Sequence, residues 1–443
     1  MTIRIKDSIF IPMRNDKIKD IFKRVIIDFI ESSPKKVMAR DYNIPLNSKK
    51  IVSLVGVRRS GKSSILFDMI NRLREKLPIE NIIYINFEDD RLYPLDLKSL
   101  DFLLEAYYEL YPSKRDQKIY LFLDEIQAVQ DWELYVRRIY DTLDVQIFIT
   151  GSSAKLLSTD IATSLRGRTI TYEIFPFSFK EYLRYKNIDV NLHSSKSLSF
   201  IKNALANYII NGGFAETIDE DEQISRKILS DYLELIVYKD IIDRYNIQNR
   251  SLLKVLNKYC FTNIATLVSF NKLYNEFKSQ GYKLGKDTIF QYISHLEDAY
   301  AIFTLPIYRN SIKEEQRNPK KIYAIDNGFK KIYDYAISED ISKLYENVVY
   351  LHLRSQTKNI YYFKQKHEVD FYAKFHDKEM LINVSVDIKD QKTRQRELEG
   401  LKEAMEYFNL KQSYLITKDE ESTEVIDSRK IYIIPLYKWL LLY

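Results

Sequence analysis

The chain contains a single cysteine, Cys260, among 443 residues. An intramolecular disulfide and a zinc site built from cysteines are therefore both excluded. Such sparing use of cysteine is typical of a protein in a reducing compartment, and we expect a cytoplasmic location. Histidine is scarce as well. The five histidines, at positions 193, 295, 352, 367 and 376, lack metal-ligand spacing, so we predict that each is a surface or packing residue.

Long apolar runs are also missing. No uncharged stretch approaches the length of a membrane span, and the first residues lack the continuous apolar core of a signal peptide. We therefore expect no membrane association. The net charge of +6 is compatible with nucleic acid but does not require it, and a mixed, solvated surface is the simpler interpretation. With 45% apolar residues the chain can bury a sizeable core, and its length predicts two to four domains.

Apolar strands and helical stretches alternate in the first part of the chain. Continuous apolar strands are predicted at 51–55, 81–87, 119–123, 146–150 and 169–174. This alternation predicts an α/β fold whose parallel sheet is covered on both faces. The pattern is almost wholly helical from 179 to 263, and strands and helices mix again from about 320 to the end.

A glycine-rich loop follows the first of these strands and opens a helix. Its sequence, G-V-R-R-S-G-K-S-S, matches the phosphate-binding pattern G-x-x-x-x-G-K-[ST]. The residues predicted to bind nucleotide are Gly56, Arg58, Arg59, Ser60, Gly61, Lys62, Ser63 and Ser64. Glycines let the backbone wrap around phosphate, while amide groups and the helix N-terminus supply positive potential. We expect Lys62 to reach the β- and γ-phosphates of ATP and the Ser63 hydroxyl to ligate Mg²⁺.

Two acids end the third predicted strand, I-Y-L-F-L-D-E. A buried strand places Asp124 at the carboxyl edge of the sheet, where ligands of open α/β sheets bind. We expect Asp124 to hold Mg²⁺ through water and Glu125 to polarise the attacking water. We also expect this strand to be a neighbour of the strand that carries the glycine loop.

Motifs in order over nearly the whole chain carry a family resemblance. They are G-V-R-R-S-G-K-S-S, F-L-D-E-I-Q, T-G-S-S-A-K-L-L, S-L-R-G-R, F-P-F-S-F-K-E-Y-L, N-G-G-F-A-E, Y-K-D-I, E-N-V-V, H-E-V-D-F and I-P-L-Y-K-W-L-L. The chain resembles the prokaryotic AAA-type (AAA+) ATPases with a C-terminal PD-(D/E)xK-nuclease-like domain of unknown function. Ala215 departs from the family pattern, which has proline after Gly-Gly-Phe. Because that region contacts nucleotide in related signalling ATPases, the departure leaves sensing by the helical lid an open question.

The resemblance implies two further roles near the nucleotide. In AAA+ proteins a polar residue at the tip of the fourth strand orients water, a role open to Ser152 or Thr150, with a helix cap as the alternative. In AAA+ rings an arginine just before the fifth strand reaches the γ-phosphate on a neighbouring subunit. Arg166 and Arg168 both qualify, with a surface salt bridge as the alternative. A homo-oligomer would follow from a role in trans.

The resemblance also implies a winged helix. Residues 270–280 and 285–300 are predicted helices, and A-I-F-T-L-P-I-Y is a predicted strand, which is the order of that motif. The second helix presents Lys286, Thr288 and Gln291, with His295 as a further candidate, which suit contacts with DNA. Its acids Asp287, Glu297 and Asp298 would repel phosphate, so a spacer between domains is the competing interpretation.

In the last part of the chain the nuclease-like pattern is degenerate. Glu346 and Asp370 occupy acidic positions, but Asn383 and Ser385 stand where active enzymes have glutamate and lysine. A shifted Asp387-x-Lys389 would lie about 13 Å further along an extended chain. Without these groups the metal-dependent chemistry is missing. We therefore predict an inactive recognition or docking domain.

Five regions are predicted. They are a leader (1–48), an AAA+ P-loop core (49–176), a helical lid (177–262), a winged helix (263–318) and the nuclease-like domain (319–443). Three hypotheses follow for function. The chain is an ATP-hydrolysing AAA+ enzyme acting on nucleic acid or a protein, a slow nucleotide-dependent switch, or a DNA-binding regulator.

Overall fold

The computed structural model describes residues 15–152, 165–333 and 341–443. The chain divides into two compact units, Met1–Val55 with Lys62–Tyr172, and Gly56–Gly61 with Glu173–Tyr443. The chain thus crosses between the units on both sides of the glycine loop. No helix within the described ranges is long and apolar enough to span a membrane.

The helices and strands as far as residue 173 are α1 Asn15–Glu31, β1 Ile51–Gly56, α2 Lys62–Arg74, β2 Ile82–Asn86, α3 Asp101–Leu110, β3 Ile119–Asp124, α4 Trp132–Thr142, β4 Val145–Ser152 and β5 Thr169–Glu173.

The first unit is built on a five-stranded sheet in the order β2-β3-β4-β1-β5. Strands β2, β3 and β4 run parallel, and their register places Asn86 opposite Asp124. Every residue of β1 and β3 is buried, as expected for strands covered on both faces. The predicted α/β fold with a P-loop sheet is confirmed. One expectation is wrong: β3 is not a neighbour of β1, because β4 lies between them.

The elements after residue 173 are α5 Phe179–Tyr185, α6 Ser195–Asn211, α7 Glu222–Leu235, the π-helix Ile236–Ile242, α8 Asp243–Tyr245, α9 Arg250–Thr262, β6 Leu267–Val268, α10 Phe270–Ser279, α11 Lys286–Asp298, β7 Ile302–Leu305, α12 Ile312–Arg317, β8 Lys320–Ala324, α13 Lys330–Tyr333, α14 Ile341–Arg354, β9 Ile360–Lys364, β10 Glu368–Lys374, β11 Glu379–Val384, α15 Gln391–Tyr407, β12 Gln412–Thr417, β13 Ser422–Ile426, β14 Arg429–Pro435 and α16 Leu436–Leu442.

The second unit contains two sheets. A six-stranded sheet has the order β13-β14-β12-β11-β10-β9, in which β9, β10 and β11 are antiparallel and β11, β12 and β14 are parallel. A three-stranded sheet has the order β6-β8-β7; β6 precedes helices α10 and α11 in the chain, and β7 and β8 follow them. Strand β8 therefore pairs with β6 and β7, which lie before the predicted domain boundary at residue 318. The boundary itself stays a prediction.

A turn after α6 is fixed by a buried carboxylate. Gly213 donates its N–H to Asp326 Oδ2 at 2.7 Å, and Gly328 donates to Oδ1 at 2.8 Å. Gly212 has φ of +81°, and a Cβ there would lie 1.7 Å from Asp326 Oδ1. Only glycine fits this position. The motif N-G-G-F is therefore explained by packing against Asp326.

Candidate nucleotide site

The glycine loop connects β1 to α2 through unusual backbone conformations. Gly61 has φ of +93°, and Arg59 adopts a left-handed φ of +65°. At Gly56 a Cβ would lie 2.2 Å from the carbonyl oxygen of Ile174, so a side chain cannot be accommodated. Helix α2 then begins at Lys62, and the N–H groups of its first turn have no carbonyl partner within the helix. The loop therefore has the form of an anion-binding turn.

Lys62 and Ser63 lie close to the two acids that follow β3. Lys62 is buried, and its Nζ is 4.0 Å from Glu125 Oε1. The Ser63 hydroxyl hydrogen-bonds the Asp124 carboxylate. The structure thus brings the second half of the glycine-loop motif together with both acids, even though β4 separates the two strands that carry them.

Asp124 is almost fully buried and is held by hydroxyl groups. Tyr84 donates to Oδ2 at 2.8 Å, and Thr150 donates to Oδ1. Burial raises the pKa of Asp124, while the hydrogen bonds from Thr150, Tyr84 and Ser63 act in the opposite direction. Three hydroxyl donors around one buried carboxylate stabilise its ionised form, which is the form that ligates a cation.

Glu125 has a left-handed backbone, with φ of +53° and ψ of +40°. Non-glycine residues in this region are uncommon and are concentrated at functional sites. The conformation is fixed by the N–H of Glu125, which donates to Thr150 Oγ1 at 3.0 Å, and by Gln127, which donates to the carboxylate. Thr150 therefore bridges both acids, and the choice between Thr150 and Ser152 for orienting water stays a prediction.

The donor set suits a nucleoside triphosphate with Mg²⁺. The hydroxyl of Ser63 and the carboxylate of Asp124 are hard oxygen ligands of the kind Mg²⁺ takes, and they already touch each other. Lys62 supplies a cation beside them, and the loop supplies backbone N–H groups. Of the other predicted contacts, Ser60 is buried and Ser64 is exposed on the first turn of α2.

The remaining catalytic candidates separate clearly. The Ser152 side chain and residues 153–164 lie outside the described residues. Arg168 pairs with Asp141 through two bonds, Nε to Oδ1 at 2.9 Å and Nη2 to Oδ2 at 3.0 Å. Arg166 is exposed and has a φ of +50°. The salt-bridge alternative therefore describes Arg168, and Arg166 is the arginine presented to solvent.

The arginines of the glycine loop contact the helical region of the second unit. Arg58 Nε lies 3.0 Å and 3.2 Å from the two carboxylate oxygens of Asp240, in the π-helix. Arg59 Nη1 lies 3.3 Å from Glu216 Oε1, in the N-G-G-F-A-E motif. Both arginines were predicted as nucleotide contacts, and the structure gives each an acidic partner.

A second cluster of acids lies in the six-stranded sheet region, and a lysine fills it. Lys321 Nζ lies 2.9 Å from Glu346, 3.1 Å from Glu368 and 2.8 Å from Asp370. Burial alone would lower the pKa of Lys321, but the three carboxylates hold it well above its usual range. Glu346 also accepts a hydrogen bond from Tyr323. The cation of this cluster is therefore supplied by the chain itself.

The degenerate positions of the nuclease-like pattern are structural. Asn383 accepts from the N–H of Asp370 at 3.0 Å and donates to Glu397 at 2.7 Å. Asp387 and Lys389 are exposed, and the N–H of Lys389 donates to Asp387 Oδ1 at 2.8 Å in a local turn. Across the described ranges, no group of three or more His, Cys, Asp or Glu is arranged to hold a metal ion.

The winged-helix candidates are only partly available for DNA. Gln291 is exposed on α11, whereas the Lys286 side chain lies outside what is described. His295 stacks on Tyr245 with ring centroids 3.6 Å apart, and burial lowers its pKa. Glu297 is half-buried and accepts two hydrogen bonds from Thr304. His295 is half-buried as well, and contact of this helix with DNA stays a prediction.

Three functional contacts escaped the sequence reasoning. They are Tyr84 on Asp124, Lys321 on the second acid cluster and Asp240 on the glycine loop. Tyr84 could have been noticed in the sequence, because its hydroxyl group stands among the isoleucines of β2, two residues before the strand ends at Asn86. The other two depend on contacts between distant segments.

Comparison with known protein families matches three stretches of the chain. Residues 48–183 match the AAA domain, 202–333 a domain of unknown function (DUF8612) and 342–439 a domain of unknown function (DUF4143). The uncharacterized protein MJ1544 of Methanocaldococcus jannaschii is 37% identical over 439 residues, covering 96% of each chain. An uncharacterized protein of Haemophilus influenzae is 30% identical over 395 residues, covering 88% of this chain and 94% of the relative.

The matches among solved structures are distant. The Aeropyrum pernix ORC1 protein in complex with DNA is 14% identical, with a TM-score of 0.31, and the match covers 74% of this chain and 93% of that one. AMPPCP-bound DnaA from Aquifex aeolicus is 13% identical, with a TM-score of 0.24, and the match covers 62% of this chain and 86% of that one.

Proposed function

The chain belongs to the family of AAA-domain proteins that includes the Methanocaldococcus jannaschii relative, and we propose that it binds ATP with Mg²⁺ and hydrolyses the ATP to ADP and phosphate. One observation carries the proposal: Lys62, Ser63, Asp124 and Glu125 converge at the end of the glycine loop. Mg²⁺ bound by Ser63 and Asp124 would neutralise charge on the phosphates.

Each residue has a role that its surroundings support. Lys62 is held beside the acids on the first turn of α2, where its ammonium group can reach the β- and γ-phosphates. Burial raises the pKa of Asp124 and its hydroxyl donors oppose that rise, so its ionised form is available to hold Mg²⁺ through water when the ion binds. Glu125 is fixed by Thr150 and Gln127, so its carboxylate can orient and polarise the attacking water.

Two variants test this assignment. Lys62→Ala should lose nucleotide binding, because the cation that faces the phosphates is gone. Glu125→Gln should bind ATP but hydrolyse it about 10²–10⁴-fold more slowly, because the amide cannot accept a proton. Equilibrium binding of a fluorescent ATP and phosphate release should be measured on both. Undiminished turnover in Glu125→Gln would remove Glu125 from the role of water activator.

An arginine supplied in trans would make the active form a homo-oligomer. Arg166 is the better candidate because it is exposed, whereas Arg168 is engaged by Asp141. Specific ATPase activity should then rise with protein concentration, and an inactive Arg166→Ala protein mixed with inactive Glu125→Gln should recover activity. Arg168→Ala is the matched control. A specific activity independent of concentration, with no rescue in the mixture, would favour a monomer.

The second candidate function is a slow switch, in which bound nucleotide sets the state of the second unit for a partner. The contacts of Arg58 and Arg59 with the helical region favour it, because they join the nucleotide loop to the helices within that unit. Measuring the ATPase rate with and without DNA separates the alternatives. Strong stimulation supports an enzyme acting on DNA, slow unstimulated turnover supports the switch, and tight DNA binding indifferent to nucleotide supports a regulator.

The C-terminal domain is a binding domain with a nuclease-like fold and no cleavage activity. Support comes from Asn383, whose amide serves Asp370 and Glu397, and from Lys321, which engages the acids that would hold metal. DNA incubated with the protein and Mg²⁺ or Mn²⁺ should stay intact. Cleavage that persists in Lys62→Ala and vanishes in Asp370→Ala would contradict this assignment and point to Asp387 and Lys389.

A further inference from the structure

The glycine loop is tied to the helical region by two ion pairs of unequal strength. In the Arg58–Asp240 pair the side chains are 23% and 6% exposed, and Arg58 Nε faces both carboxylate oxygens. In the Arg59–Glu216 pair they are 54% and 56% exposed. Exposed pairs are screened and contribute little, whereas a shielded pair is strong and sensitive to nearby charge. The link therefore depends chiefly on Arg58 and Asp240.

Asp240 occupies a special position in its helix. It belongs to the Y-K-D-I motif and lies within the π-helix Ile236–Ile242, between α7 and the turn Asp243–Tyr245. π-Helical turns are rare and are found frequently at functional sites. Neighbouring residues Ile236, Ile241 and Ile242 are buried. A change at Asp240 would therefore be felt by a segment packed into the interior of the second unit.

The side chains that form ion pairs with the loop arginines are carboxylates, which repel phosphate. A nucleotide on the loop can therefore act on this region through the arginines. A triphosphate attracts the guanidinium of Arg58 and repels the carboxylate of Asp240, and both effects weaken the same pair. The sign of the coupling is thereby fixed: ATP and the Arg58–Asp240 contact oppose each other.

Building on the proposed function, we infer that Arg58 reports the nucleotide state of the loop to the π-helical segment by exchanging Asp240 for the phosphates of ATP. Because such coupling is reciprocal, loss of the Asp240 charge should tighten ATP binding by the factor with which ATP weakens the pair.

The test compares Asp240→Asn with Asp419→Asn, which removes the exposed pair of Lys202 and Asp419 in the same unit. Asp240→Asn should bind fluorescent ATP about five- to tenfold more tightly than wild type, within the usual range of coupling between sites. Asp419→Asn should be unchanged, and Asp240→Glu, which keeps the charge, should return toward the wild-type affinity. Equal or weaker ATP binding by Asp240→Asn would overturn the inference while leaving the proposed ATPase intact.

Amide hydrogen exchange provides a second test, because ATP would not change the exchange rate of residues 236–242 if the Arg58–Asp240 pair had a purely structural role. In wild type, ATP should speed exchange in residues 236–242, and Asp240→Asn should show the faster exchange without nucleotide. Arg58→Gln should lose the response to ATP even if Asp240→Asn does not fold. A slower or unchanged rate in wild type on binding ATP would overturn the inference. A wild-type protein that binds no ATP would instead overturn the proposed function and the inference with it.

Discussion

Lys62 in the first unit and Lys321 in the second are buried lysines that lie beside carboxylates. Lys62 and Lys321 are equally buried, each with 4% of its side chain exposed. Lys62 Nζ stands 4.0 Å from Glu125, whereas Lys321 Nζ lies within 3.1 Å of three carboxylates. The first distance is that of a loose pair, and the second set is that of hydrogen bonds.

The difference separates a lysine placed for a ligand from a lysine placed for structure. Around Asp124 the partners are hydroxyl groups, which are neutral and can be exchanged for a cation and its water. Around Asp370 the partner is an ammonium group that is part of the chain, and Val384 also donates its N–H to the carboxylate at 2.9 Å. Acids after a strand therefore do not by themselves indicate metal chemistry.

The largest effect that separates the two sites should be on stability. Lys321→Ala leaves three carboxylates without their cation, and breaking a buried pair in this way costs about 3–5 kcal/mol. Lys62→Ala should change the free energy of unfolding far less, because Lys62 Nζ lies 4.0 Å from Glu125, whereas Lys321 holds three carboxylates at hydrogen-bond distance. Chemical denaturation of both variants at neutral pH tests this. Equal losses in the two variants would show that the lysines are alike.

A pH series sharpens the comparison. In wild type, burial alone would raise the pKa of Glu368. The positive charges of Lys321 and Lys364 outweigh burial, so the pKa of Glu368 is lowered. The contribution of Glu368 to folding stability is thus fully present above the ordinary glutamate pKa, and it is lost as the pH falls through the lowered pKa of the folded state. Glu346 has the opposite effect on the pH dependence of stability, because burial and the nearby charge of Asp370 raise its pKa. Without Lys321, which lowers the pKa of both Glu346 and Glu368, these two acids should hold protons more readily, so Lys321→Ala should gain stability relative to wild type as pH falls.

Unfolding free energies of wild type and Lys321→Ala, measured by denaturant at several pH values, would check this. The gap between the two proteins should narrow toward acid. Lys202→Ala, which removes an exposed pair with Asp419, is the control and should track wild type. A gap that is constant with pH would mean that the carboxylates are not what Lys321 stabilises.

The sequence was informative where function depends on contiguous residues. The glycine loop, Lys62 and the acids ending β3 were predicted because each follows a buried strand whose apolar run is visible in the sequence. Side-chain partners that come from remote segments of the chain were not predicted. Asp240 lies 182 residues from Arg58, and Lys321 lies 49 residues from Asp370. The strand order also escaped, because nothing local shows that β4 enters between β1 and β3.

The smallest expected effect concerns the hydroxyl groups that distinguish the first acid site from the second. Tyr84→Phe removes one donor from Asp124 while keeping the ring, which packs against Phe67 with centroids 4.9 Å apart. Losing one hydrogen bond to a buried carboxylate should cost about 1–3 kcal/mol. Because fewer donors stabilise the ionised form, the pKa of Asp124, already raised by burial, should rise further. The acid limb of the ATPase pH–rate profile should therefore move to higher pH, while the rate on the plateau changes little. Tyr93→Phe, at a tyrosine that is 83% exposed, is the matched control. A profile of Tyr84→Phe that superimposes on that of Tyr93→Phe would show that Tyr84 does not tune Asp124.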